Sequence, residues 1–92
     1  GLGDVYKRQL LKNYLKEVKP IKYSKLTIDG DLMDYLLEEE KYLYEFADIV
    51  RLYLKDTYPE PKTHEFIVMA KYNQMIDSMV EEFVRNEITK IV

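Results

Sequence analysis

Between Gly30 and Pro59 no glycine or proline interrupts the chain, and none follows Pro61. These two stretches constrain the fold more than any other feature. Long segments rich in Leu, Glu, Lys, Tyr and Met favour helix, and turns must gather where the few breakers stand. Three glycines and three prolines are present, and two of the glycines lie in the opening nonapeptide. No segment alternates apolar and polar residues far enough to read as a strand. The expected fold is all-α: a small helical bundle of two long antiparallel helices, a shorter N-terminal helix and a short helical turn.

The periodicities give the elements. Leu11, Tyr14, Leu15 and Val18 fall at i, i+3, i+4 and i+7, so a first helix from about Tyr6 or Leu10 carries one apolar stripe. Pro20 ends it, because its ring drives Lys19 out of helical geometry. In YSKLTIDG, Ser24 is expected to cap a single turn over residues 25–29, and Gly30 to close it in the left-handed conformation. Asp31 then caps a helix from Leu32 to about Thr57. Its expected apolar face is Leu32, Leu36, Leu43, Phe46, Ala47, Val50, Tyr53 and Leu54, with Glu38, Glu39, Glu40, Glu45 and Asp48 turned away. YPEPK connects it to a last helix from Thr63 or His64 to Ile91, and so short a link implies an antiparallel return. There the stripe is Phe66, Met69, Ala70, Ile76, Val80, Phe83, Val84, Ile88 and Ile91. Asn73 falls on it, seven residues from both Phe66 and Val80, and is the candidate buried polar group. It must find a partner or reach the rim, because unpaired burial costs on the order of 1–3 kcal/mol. No composition break divides residues 10–92, so one domain is expected.

At 92 residues the core is modest, and burial against a partner or a second copy would help it. Apolar residues make up 47% and charged residues 34%, which argues against a membrane protein. No apolar run nears the roughly 18 residues a span requires, and no signal peptide is visible. Without cysteine there is no disulfide, no Cys-based zinc site and no thiol nucleophile. A cytoplasmic location is the default expectation.

The chemistry of catalysis is sparse. His64 is the one histidine and reads as an exposed residue at the end of the proline loop. A helical di-metal site needs Glu three residues ahead of His on facing helices, and Pro61 stands at that place. The opening G-L-G-D has neither the third glycine of a dinucleotide loop nor the G-K-[ST] ending of a P-loop. No catalytic residue, metal site or cofactor is therefore expected.

Charge and aromatic content point to binding. Residues 1–26 carry seven Lys/Arg and two acids, net +5; residues 27–92 carry seven and fifteen, net −8. The basic end offers Lys12, Lys16, Lys19, Lys22 and Lys25, with Tyr14 and Tyr23 interleaved, as a nucleic-acid contact. The alternative is a pair of oppositely charged faces that attract each other within the fold. Nine tyrosines exceed what three helices can bury, and Tyr is an interface anchor. Tyr35, Glu38, Glu39, Tyr42 and Glu45 form the candidate partner-binding surface, fitted to a basic protein groove. Ordinary rim packing is the alternative. A homodimer is also compatible with the apolar faces.

The string N-Y-L-K-E-x-x-P-x-x-Y-S-x-L at residues 13–26, G-D-L-M-D-Y-L at 30–36, and N-Q-M-I-D-S-M-V-E-E-F-V-R-N-E-I at 73–88 together resemble the TnpV family of small transposon-encoded proteins. The matching positions are Tyr14, Leu15, Lys16, Glu17, Tyr23, Ser24, Leu26, Gly30, Leu32, Tyr35, Leu36, Asn73, Asn86, Glu87 and Ile88. The resemblance covers about residues 12–90. It departs where family members carry Trp and Met near the start of the last helix: Phe66 and Met69 stand there. It also departs in the upstream segment that family members carry ahead of Y-L-K-E. The resemblance implies a non-enzymatic accessory protein of a bacterial mobile element; the expected partner is another protein, a nuclease or a transposition or conjugation component. A second form is an anti-CRISPR-like inhibitor of a defence nuclease that mimics nucleic-acid charge with its Tyr/Glu face. A third is a DNA-binding accessory factor that uses the N-terminal lysines.

The opening GLGDVYKRQ matches nothing in that resemblance. It resembles the in-frame translation of a transposase-based sequencing adaptor. Residues 1–9 are accordingly expected to be a non-native leader on a gene fragment from environmental DNA. On that reading the native N-terminus is missing, and deleting the segment should change little.

Overall fold

A computed structural model describes residues 2–92, with side chains from Tyr6 onward. Four helices follow one another: α1 (Leu2–Val18), α2 (Pro20–Asp29), α3 (Leu32–Thr57) and α4 (Phe66–Ile91). Among the described residues there is no strand. Contacts between the long helices run in reverse order: Tyr42 meets Glu87, Arg51 meets Asp77, and Tyr58 meets Tyr72. They therefore form the antiparallel pair expected from the short connection. The α1 helix lies mainly along α3 and touches α4, while α2 packs on α1 and α3 alone.

One proline both stops and starts a helix. Lys19, at φ −126° and ψ 61°, breaks α1, and Pro20 occupies the first turn of α2, where its fixed φ suits the helix and its missing N–H is not needed. The expectation of a single turn capped by Ser24 is thus corrected: Ser24 sits inside a helix of ten residues. Gly30 does close that helix in the left-handed conformation, at φ 78°. The Gly30 N–H reaches the Thr27 carbonyl at 3.2 Å, and the Asp31 N–H reaches the Leu26 carbonyl at 2.9 Å. These are the paired bonds of a Schellman ending. Asp31 stands at the N-cap of α3, without a capping bond from its side chain.

The core runs between the long helices and under α1. Leu36, Leu43, Ala47, Val50 and Leu54 face Tyr72, Ile76, Val80, Val84 and Ile88, with Leu11 from α1. Several positions expected inside are outside. Val18, Tyr53, Phe66, Ala70 and Phe83 are exposed, as is Asn73. The reason lies in the spacing on α4. Its buried residues recur every four positions, a row that winds across the helix. Tyr72 therefore takes the inward place that a seven-residue step assigns to Asn73. The α4 helix also begins at Phe66, not at Thr63 or His64.

Conversely, Glu40 was expected to point outward and is buried, 6% exposed. It stands on the 36–40–43–47 stripe, facing α1. Arg8 meets it with two hydrogen bonds, Nε to Oε2 at 2.6 Å and Nη2 to Oε1 at 3.3 Å. Arg8 belongs to the segment set apart as a leader. Whatever its origin, that segment is helical from Leu2 and continuous with the rest of α1. Tyr6 donates to Glu81 and accepts from Arg85 on α4, and Lys7 Nζ lies 4.6 Å from the centre of the Tyr44 ring.

Candidate functional site

With α1 lying against one side of the α3–α4 pair, the opposite side is open. At about 100° per residue, Tyr42, Phe46, Ile49 and Tyr53 form a second apolar stripe on α3, turned away from the α1 contacts at Glu40 and Tyr44. On α4, Met75, Met79 and Phe83 lie on the same side. The α1 contacts at Glu81 and Arg85 mark the other. The two stripes meet where the Tyr42 hydroxyl donates to Glu87 and the Tyr42 ring stacks on Phe46, centres 6.2 Å apart. Phe46 and Met79 pack partly into the core. Ile49 remains 67% exposed and Tyr53 61%, with Tyr42, Met75 and Phe83 each about two-fifths exposed. Apolar patches rimmed by polar residues are a feature of interaction sites.

Its margins are acidic. Glu38 and Glu45 are exposed beside the α3 stripe, and Glu82 beside the α4 stripe. Lys41, between Glu38 and Glu45, and Lys71 and Lys90 on α4 are exposed bases on the same margins. The hydrogen bond to Glu87 raises the Tyr42 phenol above its ordinary pKa, reinforced by the negative charges of Glu87 and Glu39. The neutral, donating phenol is thus the favoured form on this face. That contribution is complete below the ordinary phenol range and is lost as pH rises through the raised value.

Of the five residues expected to bind a partner, four lie along this face: Glu38, Tyr42 and Glu45 exposed, Glu39 half-buried. Tyr35 does not present its hydroxyl. That oxygen is buried without a hydrogen-bond partner, and the Lys22 ammonium sits 4.8 Å from its ring centre. The residues the sequence reading passed over are Ile49 and Met75, and Phe83, expected in the core, is exposed on this face. The spacing 42–46–49–53 would have exposed the stripe, but it lies beside the stronger buried seam.

The five lysines are divided between two helices. Lys12 is half-buried on α1, Lys16 is exposed there, and Lys19, Lys22 and Lys25 are exposed along α2 and its start. Lys16 caps the Tyr23 ring at 5.9 Å. Among the described residues none of the five forms an ion pair. Nor do Tyr14 and Tyr23 offer a stacking platform: both are half-buried, and Tyr14 packs against the core. His64 is exposed. Among the described residues no cluster of His, Asp and Glu gathers that could hold a metal ion, and no helix is long and apolar enough to cross a membrane.

The chain matches no protein-family model, no curated protein and no solved structure.

Proposed function

We propose that this protein is a non-catalytic binding module whose α3–α4 face receives a basic amphipathic helix from a protein partner. The observation that carries this reading is the second stripe on α3, with Ile49 and Tyr53 more than half exposed between acidic margins. An amphipathic helix can lay its apolar residues on such a face and set its charges against the rim. Methionines on the face adapt to different side chains at little cost. The resemblance to TnpV proteins supports a mobile-element accessory role, with a transposition or conjugation component, or a defence nuclease, as the partner.

Calorimetric titration with two designed helical peptides tests the face itself. They share one leucine stripe and carry either lysines or glutamates on the polar side. The lysine peptide should bind, more weakly as salt rises, and Ile49→Glu should abolish binding while the helical circular dichroism is retained. Equal affinity for both peptides, or none for either, contradicts the reading.

A DNA-binding role remains the second reading, favoured by the lack of carboxylate partners for Lys12, Lys16, Lys19, Lys22 and Lys25. It requires retention on a DNA column at low salt and its loss on neutralising Lys12, Lys16 and Lys19. Passage straight through the column excludes it.

A further inference from the structure

Sulfur enters this chain through methionine alone: Met33, Met69, Met75 and Met79, with no cysteine beside them. An oxidant that attacks sulfur therefore finds only thioethers here. It must reach the sulfur, so exposure ranks the four. Met33 is 54% exposed and Met75 41%. Met69 and Met79 are half-buried, and Met79 packs against the core.

Position separates the two exposed ones. At about 100° per residue, Met33 lies half a turn around α3 from Tyr42, away from the open α3–α4 face. Met75 lies on that face, with Lys71 one turn before it along α4 and Met79 one turn after. It is not one of the residues that fill the core. A change at its sulfur therefore alters the surface and leaves the packing of the long helices in place.

The geometry points to Met75 as a modification site, at which a peroxide closes the α3–α4 face to its partner reversibly. The inference rests on the reading of that face as a protein-binding site and adds its regulation. In the step, a lone pair of the thioether sulfur attacks one peroxide oxygen. The O–O bond breaks as the S–O bond forms, and the departing hydroxide takes the remaining proton and leaves as water. Sulfur is oxidised and the peroxide is reduced. The product, a sulfoxide, replaces a flexible apolar side chain by a polar one. A partner helix that covers it must then strip water from the new oxygen on a surface suited to leucines, which opposes binding. Methionine sulfoxide reductases reverse the change.

The test uses the full chain, hydrogen peroxide and the sulfur-free lysine peptide described above. Peroxide is added to the lowest dose at which peptide mass mapping shows Met75 converted, and is removed before calorimetric titration. Each protein is compared with its own unoxidised sample. Oxidised wild type should bind the peptide about tenfold more weakly, keep its helical circular dichroism, and recover on treatment with the reductases. Met33→Leu should lose affinity on oxidation as wild type does, whereas Met75→Leu should show no difference before and after peroxide. The inference is overturned by an unchanged affinity once Met75 is converted, or by an equal loss in Met75→Leu. It is also overturned if Met75 stays unmodified after Met33 has reacted, or if helicity is lost together with binding. An unoxidised protein that does not bind the lysine peptide brings down the binding reading as well. One that binds it and ignores peroxide brings down the oxidation site alone.

Discussion

At the scale of single residues, the buried carboxylate is the most consequential feature. Glu40 tolerates its place because Arg8 meets both of its oxygens. Arg8→Ala should cost roughly 1–3 kcal/mol in urea denaturation, the cost of a buried acceptor left unpaired. Replacing both partners, Arg8→Leu with Glu40→Leu, should restore much of that, since apolar packing can match a buried ion pair. For the same reason deletion of residues 1–9 is now expected to destabilise the protein. Tyr35 gives the opposite case. Its hydroxyl is buried without a partner, so Tyr35→Phe should leave stability unchanged or raise it by up to about 1 kcal/mol. Glu81 supplies a pH dependence. The Tyr6 hydroxyl, then the Arg85 guanidinium at 2.8 Å, hold its carboxyl below the usual range. A depressed pKa stabilises the fold above the unfolded carboxyl value and loses that contribution as pH falls through the folded one. Acid titrations followed by circular dichroism should therefore show Tyr6→Phe losing less stability than wild type on the acid side of pH 5.

Two joints govern how the elements sit. At the first, an added Cβ on Gly30 would meet nothing within 4 Å, so the cost of Gly30→Ala is conformational alone. About 1–2 kcal/mol is expected from forcing an L-residue into the left-handed region. At the second, the Tyr72 hydroxyl donates to the Tyr58 carbonyl at 2.6 Å and ties the start of α4 to the end of α3. Tyr72→Phe should lose about 1 kcal/mol in the same denaturation assay. Much at this scale was legible. The bounds of α3 and the left-handed Gly30 follow directly from breakers and periodicity. What misled was a proline taken only as a stop, although its geometry also starts helices, and a seven-residue step applied to a helix whose core winds in fours. The position of Glu40 on its stripe was equally readable; its charge made an outward placement seem necessary. That Arg8 would reach it was not, because the partner lies 32 residues away on another helix.

The whole molecule is a rod, 54 × 23 × 19 Å, with a radius of gyration of 16.2 Å against about 12 Å for a compact domain of this length. An elongated bundle of three principal helices has too few neighbours to cover every apolar stripe, and that is how the α3–α4 face comes to lie open. The surplus of tyrosine signalled in the sequence that some rings would lie outside the core. The composition of the face was not legible there, because Ile49, Met75 and Phe83 belong to it only once the long helices are paired. The most direct measurement is site-specific photo-crosslinking in bacterial cells, with the crosslinker placed in turn at Ile49 and at Glu60, an exposed residue of the α3–α4 connection. A discrete protein adduct from position 49, to a second copy or to another protein, and none from position 60, is the outcome this account requires. Adducts of equal yield from both positions, or no adduct from position 49, would contradict it.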